Sequence, residues 1–211
     1  YVVIKDGNIT ISAQGDGLKS DNEEDTTKGF ISIDTGVINI SAGGDAITAQ
    51  TDVTVLGGEI ALTAGGGSDN QVDETVSAKG IKGIASVDIE SGTYTINSAD
   101  DAIHANGSIT INNGTFNIAS GDDGMHADTA LTINGGSIDV ANSYEGLESA
   151  VITINAGDIT IKATDDGINV AGGNDGSGMN MGMDPGGMQR PGGGPGDVAE
   201  GDPNSGPGQD P

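Results

Sequence analysis

The chain has 211 residues, and its 7 Lys and Arg against 32 Asp and Glu give a formal net charge of −25. This charge argues against nucleic acid as a partner, because polyanions are repelled, and it favours cations or ligands that arrive with cations. The absence of Cys rules out a disulfide framework, and no apolar run is long enough for insertion into a membrane.

Glycines lead a repeat that begins near the amino terminus. They sit at Gly7, Gly36, Gly58, Gly92, Gly114, Gly136 and Gly157. From Gly92 onwards they recur every 21 or 22 residues, and each precedes an apolar segment that alternates with polar residues. Longer spacings follow Gly7 and Gly58, where polar insertions at 20–27 and 65–76 interrupt the pattern. Such insertions are typical of loops on the surface of a repeat protein.

Each repeat contains three short segments of period two, separated by Gly, Asp and Asn. A single repeat cannot bury its apolar side chains, but stacked repeats can. We therefore predict an all-β fold, a right-handed parallel β-helix of about seven coils, each of about 22 residues with three short strands. The helix is predicted to span residues 1–171. Residues 172–211 are a Gly-, Pro- and Met-rich low-complexity tail with no capacity to form a core.

Equivalent residues of stacked coils form columns, and two columns are predicted to face the core. The first contains Ile9, Ile38, Ile60, Tyr94, Phe116, Ile138 and Ile159. The second contains Leu18, Ile47, Ile81, Ile103, Met125, Leu147 and Ile168. In this arrangement Tyr94 and Phe116 fill the core and do not act as platforms for sugar rings.

Acidic residues recur in most repeats at the same place, the turn just before the segment that contributes the second core column. They are Asp16, Asp45, Asp100, Asp101, Asp122, Asp123, Glu145, Asp165 and Asp166. Successive coils lie about 4.8 Å apart, and two carboxylates at that distance repel by roughly 3–4 kcal/mol at an effective dielectric of about 20. They must be protonated, splayed into solvent or neutralised. Calcium takes oxygen ligands at about 2.3–2.6 Å, so we predict that these residues bind Ca²⁺. The alternative is that Asp-Gly simply makes a favourable turn.

A polar column follows three residues after the acids. It contains Lys19, Thr48, Lys82, His104, His126, Glu148 and Asn169. Lys82, His104, His126 and Glu148 come from consecutive coils, so they are predicted to bind the hydroxyls of a uronic acid whose carboxylate meets the calcium. Tyr144 is expected to be exposed at the turn, where it could stack on a sugar. The alternatives are a solvated outer face and metal ligation by the histidines.

Four stretches carry a family resemblance: "GFISIDTGVINISAGGDAITAQTDVTV", "SGDDGMHADTALTINGG", "NSYEGLESAVITINAGDITI" and "KATDDGINVAGG". Residues 1–173 closely resemble bacterial carbohydrate-binding β-helix proteins whose fold is similar to that of pectate and other polysaccharide lyases. The motif positions are Asp122, Asp123, His126, Asp128, Tyr144, Glu145, Glu148, Asp165 and Asp166. Lys79 and Ala78 depart from the pattern, because they replace acids in the third coil.

The resemblance implies a secreted, calcium-dependent protein at the bacterial cell surface that binds cellulose or acidic sugars, without established lyase activity. It also implies that the chain corresponds to the C-terminal part of longer proteins. Calcium and polysaccharide are thus the expected partners. Two alternatives stay open. A lyase would need Lys82 or His104 as its base, since the only arginine is Arg190 in the tail. A structural protein would assemble head to tail into filaments through its exposed strand edges.

Overall fold

The computed structural model describes residues 1–73 and 75–170, and all of them lie within one compact unit. Twenty-one short strands follow one another in chain order and form three parallel sheets of seven strands. The part of the chain described here contains no helix that could cross a membrane. The predicted boundary at residue 171 and the tail that follows it lie outside the described residues.

Sheet A contains β1 (Val2–Ile4), β4 (Ile31–Ile33), β7 (Asp52–Val55), β10 (Ser86–Ile89), β13 (Ser108–Ile111), β16 (Ala130–Ile133) and β19 (Ile152–Ile154). Sheet B contains β2 (Asn8–Ala13), β5 (Val37–Ala42), β8 (Glu59–Ala64), β11 (Thr93–Ser98), β14 (Thr115–Ser120), β17 (Ser137–Ser143) and β20 (Asp158–Ala163). Sheet C contains β3 (Leu18–Ser20), β6 (Ile47–Ala49), β9 (Ile81–Gly83), β12 (Ile103–Ala105), β15 (Met125–Ala127), β18 (Leu147–Ser149) and β21 (Ile168–Asn169).

Every third strand pairs in parallel, so the chain is a right-handed parallel β-helix of seven coils, as predicted. Coil 1 contains β1 to β3, and each later coil adds one strand to each sheet. The alternation of β-branched and polar residues places one face of every strand inside. A bulge in β17, between Val140 and Ser143, interrupts the register in sheet B.

The two predicted core columns are in register along the sheets. In sheet B, Ile60 pairs with Tyr94 and Tyr94 with Phe116, and the two rings stack with centroids 4.6 Å apart. Both aromatic side chains are buried, which confirms that they are core residues. In sheet C, Ile103 pairs with Met125. The core columns are less completely buried in the first and last coils, each of which packs against one other coil among the described residues.

The leading glycine of each repeat has a structural reason. All seven adopt positive φ at the turn into sheet B, a conformation that side chains rarely tolerate. The turns also stack closely: a Cβ atom on Gly36 would lie 2.7 Å from the carbonyl oxygen of Gly7. The glycine spacing in the sequence therefore records one tight turn per coil.

Candidate functional site

The acidic position forms a continuous column along the turn before sheet C. The amide of Gly17 donates to the carbonyl of Asp45 at 2.9 Å, and the same bond recurs in each coil up to the amide of Gly146 and the carbonyl of Asp166. The predicted column is thus confirmed as a stack of equivalent backbone positions. It runs through Asp16, Asp45, Lys79, Asp101, Asp123, Glu145 and Asp166.

Four of these carboxylates have a structural task that the sequence did not reveal. Oδ1 of Asp16 accepts a hydrogen bond from the amide of Asp45 at 3.0 Å, and Oδ1 of Asp45 accepts one from Lys79 at 2.8 Å. Asp101 accepts the amide of Asp123 at 3.1 Å, and Asp123 accepts that of Glu145 at 3.2 Å. Each acid therefore satisfies the backbone N–H of the next coil, which a buried turn requires. A bond between coils becomes visible only once the register is known.

The second oxygen of the same acids faces the polar column on sheet C. Oδ2 of Asp16 lies 2.9 Å from Lys19 Nζ, and Oδ2 of Asp101 lies 2.8 Å from His104 Nδ1. Oδ2 of Asp123 lies 3.3 Å from His126 Nδ1. Since acid and partner are three residues apart in the sequence, each pair belongs to one coil. A lysine or histidine nitrogen of the same coil therefore lies against each of these three carboxylates.

The acids of the inner coils are buried, so the option that they splay into solvent is wrong for them. Asp45, Asp101, Asp123 and Glu145 are each at most 4% exposed. Asp165 and Asp166, in the last coil, are exposed. The neighbouring coils cover the inner turns on both sides, and only a satisfied hydrogen bond or a nearby cation makes such burial tolerable for a carboxylate.

Lys79, which replaces an acid in coil 3, is an internal cation. Its Nζ lies 2.7 Å from Oδ1 of Asp100 and 2.7 Å from Oδ2 of Asp101. Burial lowers the pKa of Lys79, but the two carboxylates outweigh burial and raise it. Burial likewise raises the pKa of Asp101, yet Lys79 and His104 hold it well below its usual range. The sequence suggested only that Lys79 interrupts the acidic column.

Asp122 adds a third carboxylate beside this ion pair. Oxygens of Asp100, Asp101 and Asp122 lie within 4.8 Å of one another. Burial, together with repulsion from Asp101 and Asp123, raises the pKa of Asp122 to about 8. Its Oδ1 is buried and accepts no hydrogen bond from the residues that the structure describes. A buried acceptor of this kind is what an oxygen-preferring cation would satisfy.

A second acidic cluster lies between coils 6 and 7. Oxygens of Glu145, Asp165 and Asp166 lie within 4.8 Å of one another, and Asn169 Nδ2 donates to both oxygens of Glu145 at 3.0 Å. Tyr144 is half-buried, not exposed as expected, and its backbone amide and carbonyl bond to Asp122 and Asp165 in the adjacent coils. A hydrogen bond with Asp165 raises the pKa of Tyr144.

The polar column on sheet C is in register, and from Lys82 to Glu148 it is not a solvated face. Lys82, His104, His126 and Glu148 pair in consecutive coils, as predicted. The histidine side chains are only 12% and 13% exposed, and Glu148 is 2% exposed. The two rings meet edge to face, with centroids 5.1 Å apart. The column is therefore a compact polar strip that lies against the acids of the turns.

Near the amino-terminal end of the strip, the structure forms a cleft that sequence reasoning did not anticipate. Its volume is about 610 Å³, and its lining combines sheet C residues with parts of both insertions. Lys19 and Lys82 line it together with Asp16, Asp45 and Gln50. The sequence identified the insertions as surface loops, but only the fold places both beside the same strands. Arg190 is the only arginine that could serve as the base of a lyase, and it lies outside the described residues.

Comparison with known proteins identified a family. A family model described as "Carbohydrate-binding domain-containing protein" matches residues 1–124. No curated protein and no solved structure matches the chain. The matched span includes the cleft, Lys79 and His104, and it ends just before strand β15.

Proposed function

The chain belongs to the carbohydrate-binding domain-containing family, and on this premise we propose that it binds an acidic polysaccharide along the outer face of sheet C. The observation that carries the proposal is the cleft beside the insertions. It brings Lys19 and Lys82 together in a protein whose net charge is −25, within the span that the family model matches.

The cleft offers two ammonium groups to a uronate, beside four carboxylates of its lining, Asp16, Asp21, Glu23 and Asp45. Lys19 Nζ lies 2.9 Å from Asp16, and Lys82 Nζ donates to Ser77 Oγ at 3.1 Å and lies 3.9 Å from Asp45. These contacts position the two ammonium groups at the surface of the cleft. They can bind sugar carboxylates. The carboxylates of the lining can accept hydrogen bonds from sugar hydroxyls, and the side-chain amides can both accept and donate them.

The polar strip extends the proposed surface along the helix axis. His104, His126 and Glu148 continue the column of Lys82, and Tyr144 borders it at the turn. Successive coils are about 4.8 Å apart, so a polysaccharide lying parallel to the axis would meet Lys82, His104 and His126 in turn, with the buried Glu148 beneath the surface. We propose this orientation for acidic chains and for cellulose.

Calcium is proposed as the cofactor, and the clusters around Asp122 and Glu145 fit it. Both consist of carboxylate oxygens, which calcium prefers, and Oδ1 of Asp122 accepts no hydrogen bond from any described residue. The candidate ligands are Asp122, Glu145, Asp165 and Asp166, while Asp100 and Asp101 already contact Lys79. When bound, calcium would neutralise these acids and offer open coordination positions to a sugar carboxylate. We also propose that the protein acts outside the cell, where weak calcium sites of about 0.1–1 mM are filled.

Isothermal titration with polygalacturonate and with cello-oligosaccharides, in calcium and in chelator, tests the proposal. Lys82→Ala should weaken polygalacturonate binding by about tenfold, the factor that corresponds to loss of one charged contact of about 1.4 kcal/mol. Lys162→Ala is the matched control, because Lys162 is an exposed lysine on sheet B. Equal losses in the two variants would show non-specific attraction and refute the site. Release of unsaturated uronates, seen by ultraviolet absorbance, would favour a lyase.

A further inference from the structure

One cluster on the strip differs chemically from the acidic turns because a histidine lies at its centre. Nδ1 of His126 lies 3.3 Å from Oδ2 of Asp123 and 3.8 Å from Oε2 of Glu148. Nε2 of the same ring lies 3.5 Å from Oδ1 of Asp128. Asp123 and His126 belong to coil 5 and Glu148 to coil 6, so the cluster bridges two coils.

A second observation also points to a cation at this cluster. Asp123 is 1% exposed, and its Oδ1 accepts the amide of Glu145 at 3.2 Å. Its Oδ2 is directed at His126, but it accepts no hydrogen bond from the residues that the structure describes. A fully buried carboxylate oxygen without a hydrogen bond is costly unless a cation contacts it.

The distances suit a small transition ion. Ligands placed about 2.0–2.2 Å from zinc in a tetrahedral shell are roughly 3.3–3.6 Å apart, close to the 3.3 and 3.8 Å that separate His126 Nδ1 from the two carboxylate oxygens. Calcium prefers an all-oxygen shell, whereas imidazole nitrogen suits zinc and its neighbours. Asp128 is placed to orient the ring through its other nitrogen, as carboxylates do in many zinc sites.

We infer that Asp123, His126 and Glu148 form a binding site for a divalent transition ion of the zinc class, separate from the proposed calcium clusters. Three protein ligands leave at least one coordination position for water or a ligand. The ion links coils 5 and 6 through their side chains. It lies on the strip, so it can also contact a bound sugar, but the inference does not depend on carbohydrate binding.

Titration of the metal-free full chain with Zn²⁺, in millimolar Ca²⁺, tests the inference directly. We expect one zinc ion per chain, and a loss of affinity of about 100-fold or more in His126→Gln, since even loss of an orienting partner costs about 10–100-fold. His104→Gln is the matched control from the neighbouring coil, because its Nδ1 is already engaged with Asp101 at 2.8 Å. That variant should retain zinc affinity within about threefold of the unchanged chain.

Cobalt offers a measurement that needs no variant. Co²⁺ added to the unchanged chain should give visible absorption typical of a four-coordinate nitrogen and oxygen site, and Zn²⁺ should abolish it. The inference is overturned if zinc does not bind, if calcium displaces it, or if His104→Gln loses as much affinity as His126→Gln. Absence of the cobalt absorption would overturn it even if His126→Gln failed to fold. If the unchanged chain binds zinc as expected but does not bind the polysaccharides, that result counts only against the proposed function.

Discussion

Lys79 offers the sharpest test of how the helix tolerates its buried acids. Its Nζ contacts Asp100 and Asp101 at 2.7 Å each, and its side chain is only 13% exposed. Replacement by methionine keeps the apolar stem but removes the charge. Breaking a buried ion pair from one side typically costs about 3–5 kcal/mol, so we expect Lys79→Met to lower the free energy of unfolding by about that amount. Each kcal/mol shifts Tm by about 2–4 °C at this chain length, which predicts a fall of roughly 6–20 °C.

The measurement is thermal and denaturant unfolding in chelator at neutral pH, so that calcium cannot replace the missing cation. Lys5→Met is the control, because Lys5 pairs with Asp34 at 2.9 Å but its side chain is 74% exposed. A surface pair of this kind contributes less than about 1 kcal/mol. The double variant Lys79→Met with Asp101→Asn should be more stable than Lys79→Met alone, because the amide oxygen can still accept the amide of Asp123 while the more deeply buried of the two uncompensated charges is gone.

The pH dependence has a definite sign. The pKa of Asp101 is held well below its usual range, so its stabilising contribution is present above about pH 4 and is lost as the pH falls further. The difference between the unchanged chain and Lys79→Met should therefore narrow below about pH 4. A cost below about 1 kcal/mol at neutral pH, or a double variant no more stable than the single one, would refute the view of Lys79 as an internal cation.

Three further predictions concern the core, the turns and Asp122. Phe116→Ala should cost about 3–5 kcal/mol in denaturant unfolding, because it leaves a cavity against Tyr94; a loss under about 1 kcal/mol would show a loosely packed core. Gly136→Ala should lower Tm, since Gly136 has φ +103° and a Cβ would lie 2.7 Å from Gly114 O; an unchanged Tm would contradict this. Burial and neighbouring carboxylates raise the pKa of Asp122 to about 8. In chelator, Asp122→Asn should therefore stabilise the chain at about pH 8 but not at about pH 4. An equal change in stability at the two pH values would contradict this prediction.

The sequence was sufficient to predict the fold because stacking repeats one set of constraints in every coil. The glycine at each turn needs positive φ, and the apolar residues at alternate positions need a core. Both requirements give the sequence a repeat of about 22 residues, which can be recognised without a structure. Even the register of the polar strip, with Lys82 beside His104 and His104 beside His126, followed from that period.

The sequence was a poorer guide to what the site residues do. Predicted as calcium ligands, Asp45 and Asp123 each use one oxygen to bond a backbone amide of the next coil. Lys79 was noted only as a departure from the acidic pattern, although it neutralises two acids. These roles depend on side-chain direction within a turn, and the period of a repeat carries no information about that direction. The cleft depends likewise on where two irregular insertions fold.

The backbone bonding explains why acids occupy the turn at all. The amide of Gly17 donates forward to Asp45, whereas the amide of Asp45 points back at coil 1 and bonds the side chain of Asp16. A side-chain oxygen at this position satisfies the amide of the next coil, but an asparagine would supply one equally well. The backbone needs only an oxygen acceptor, so the negative charge of the aspartate has to be neutralised by a cation. Lys19 supplies one for Asp16 in coil 1, and Lys79 supplies one for Asp100 and Asp101 in coil 4. In the later coils that reasoning leads to ions from outside the chain, which is why we place calcium and the transition ion there.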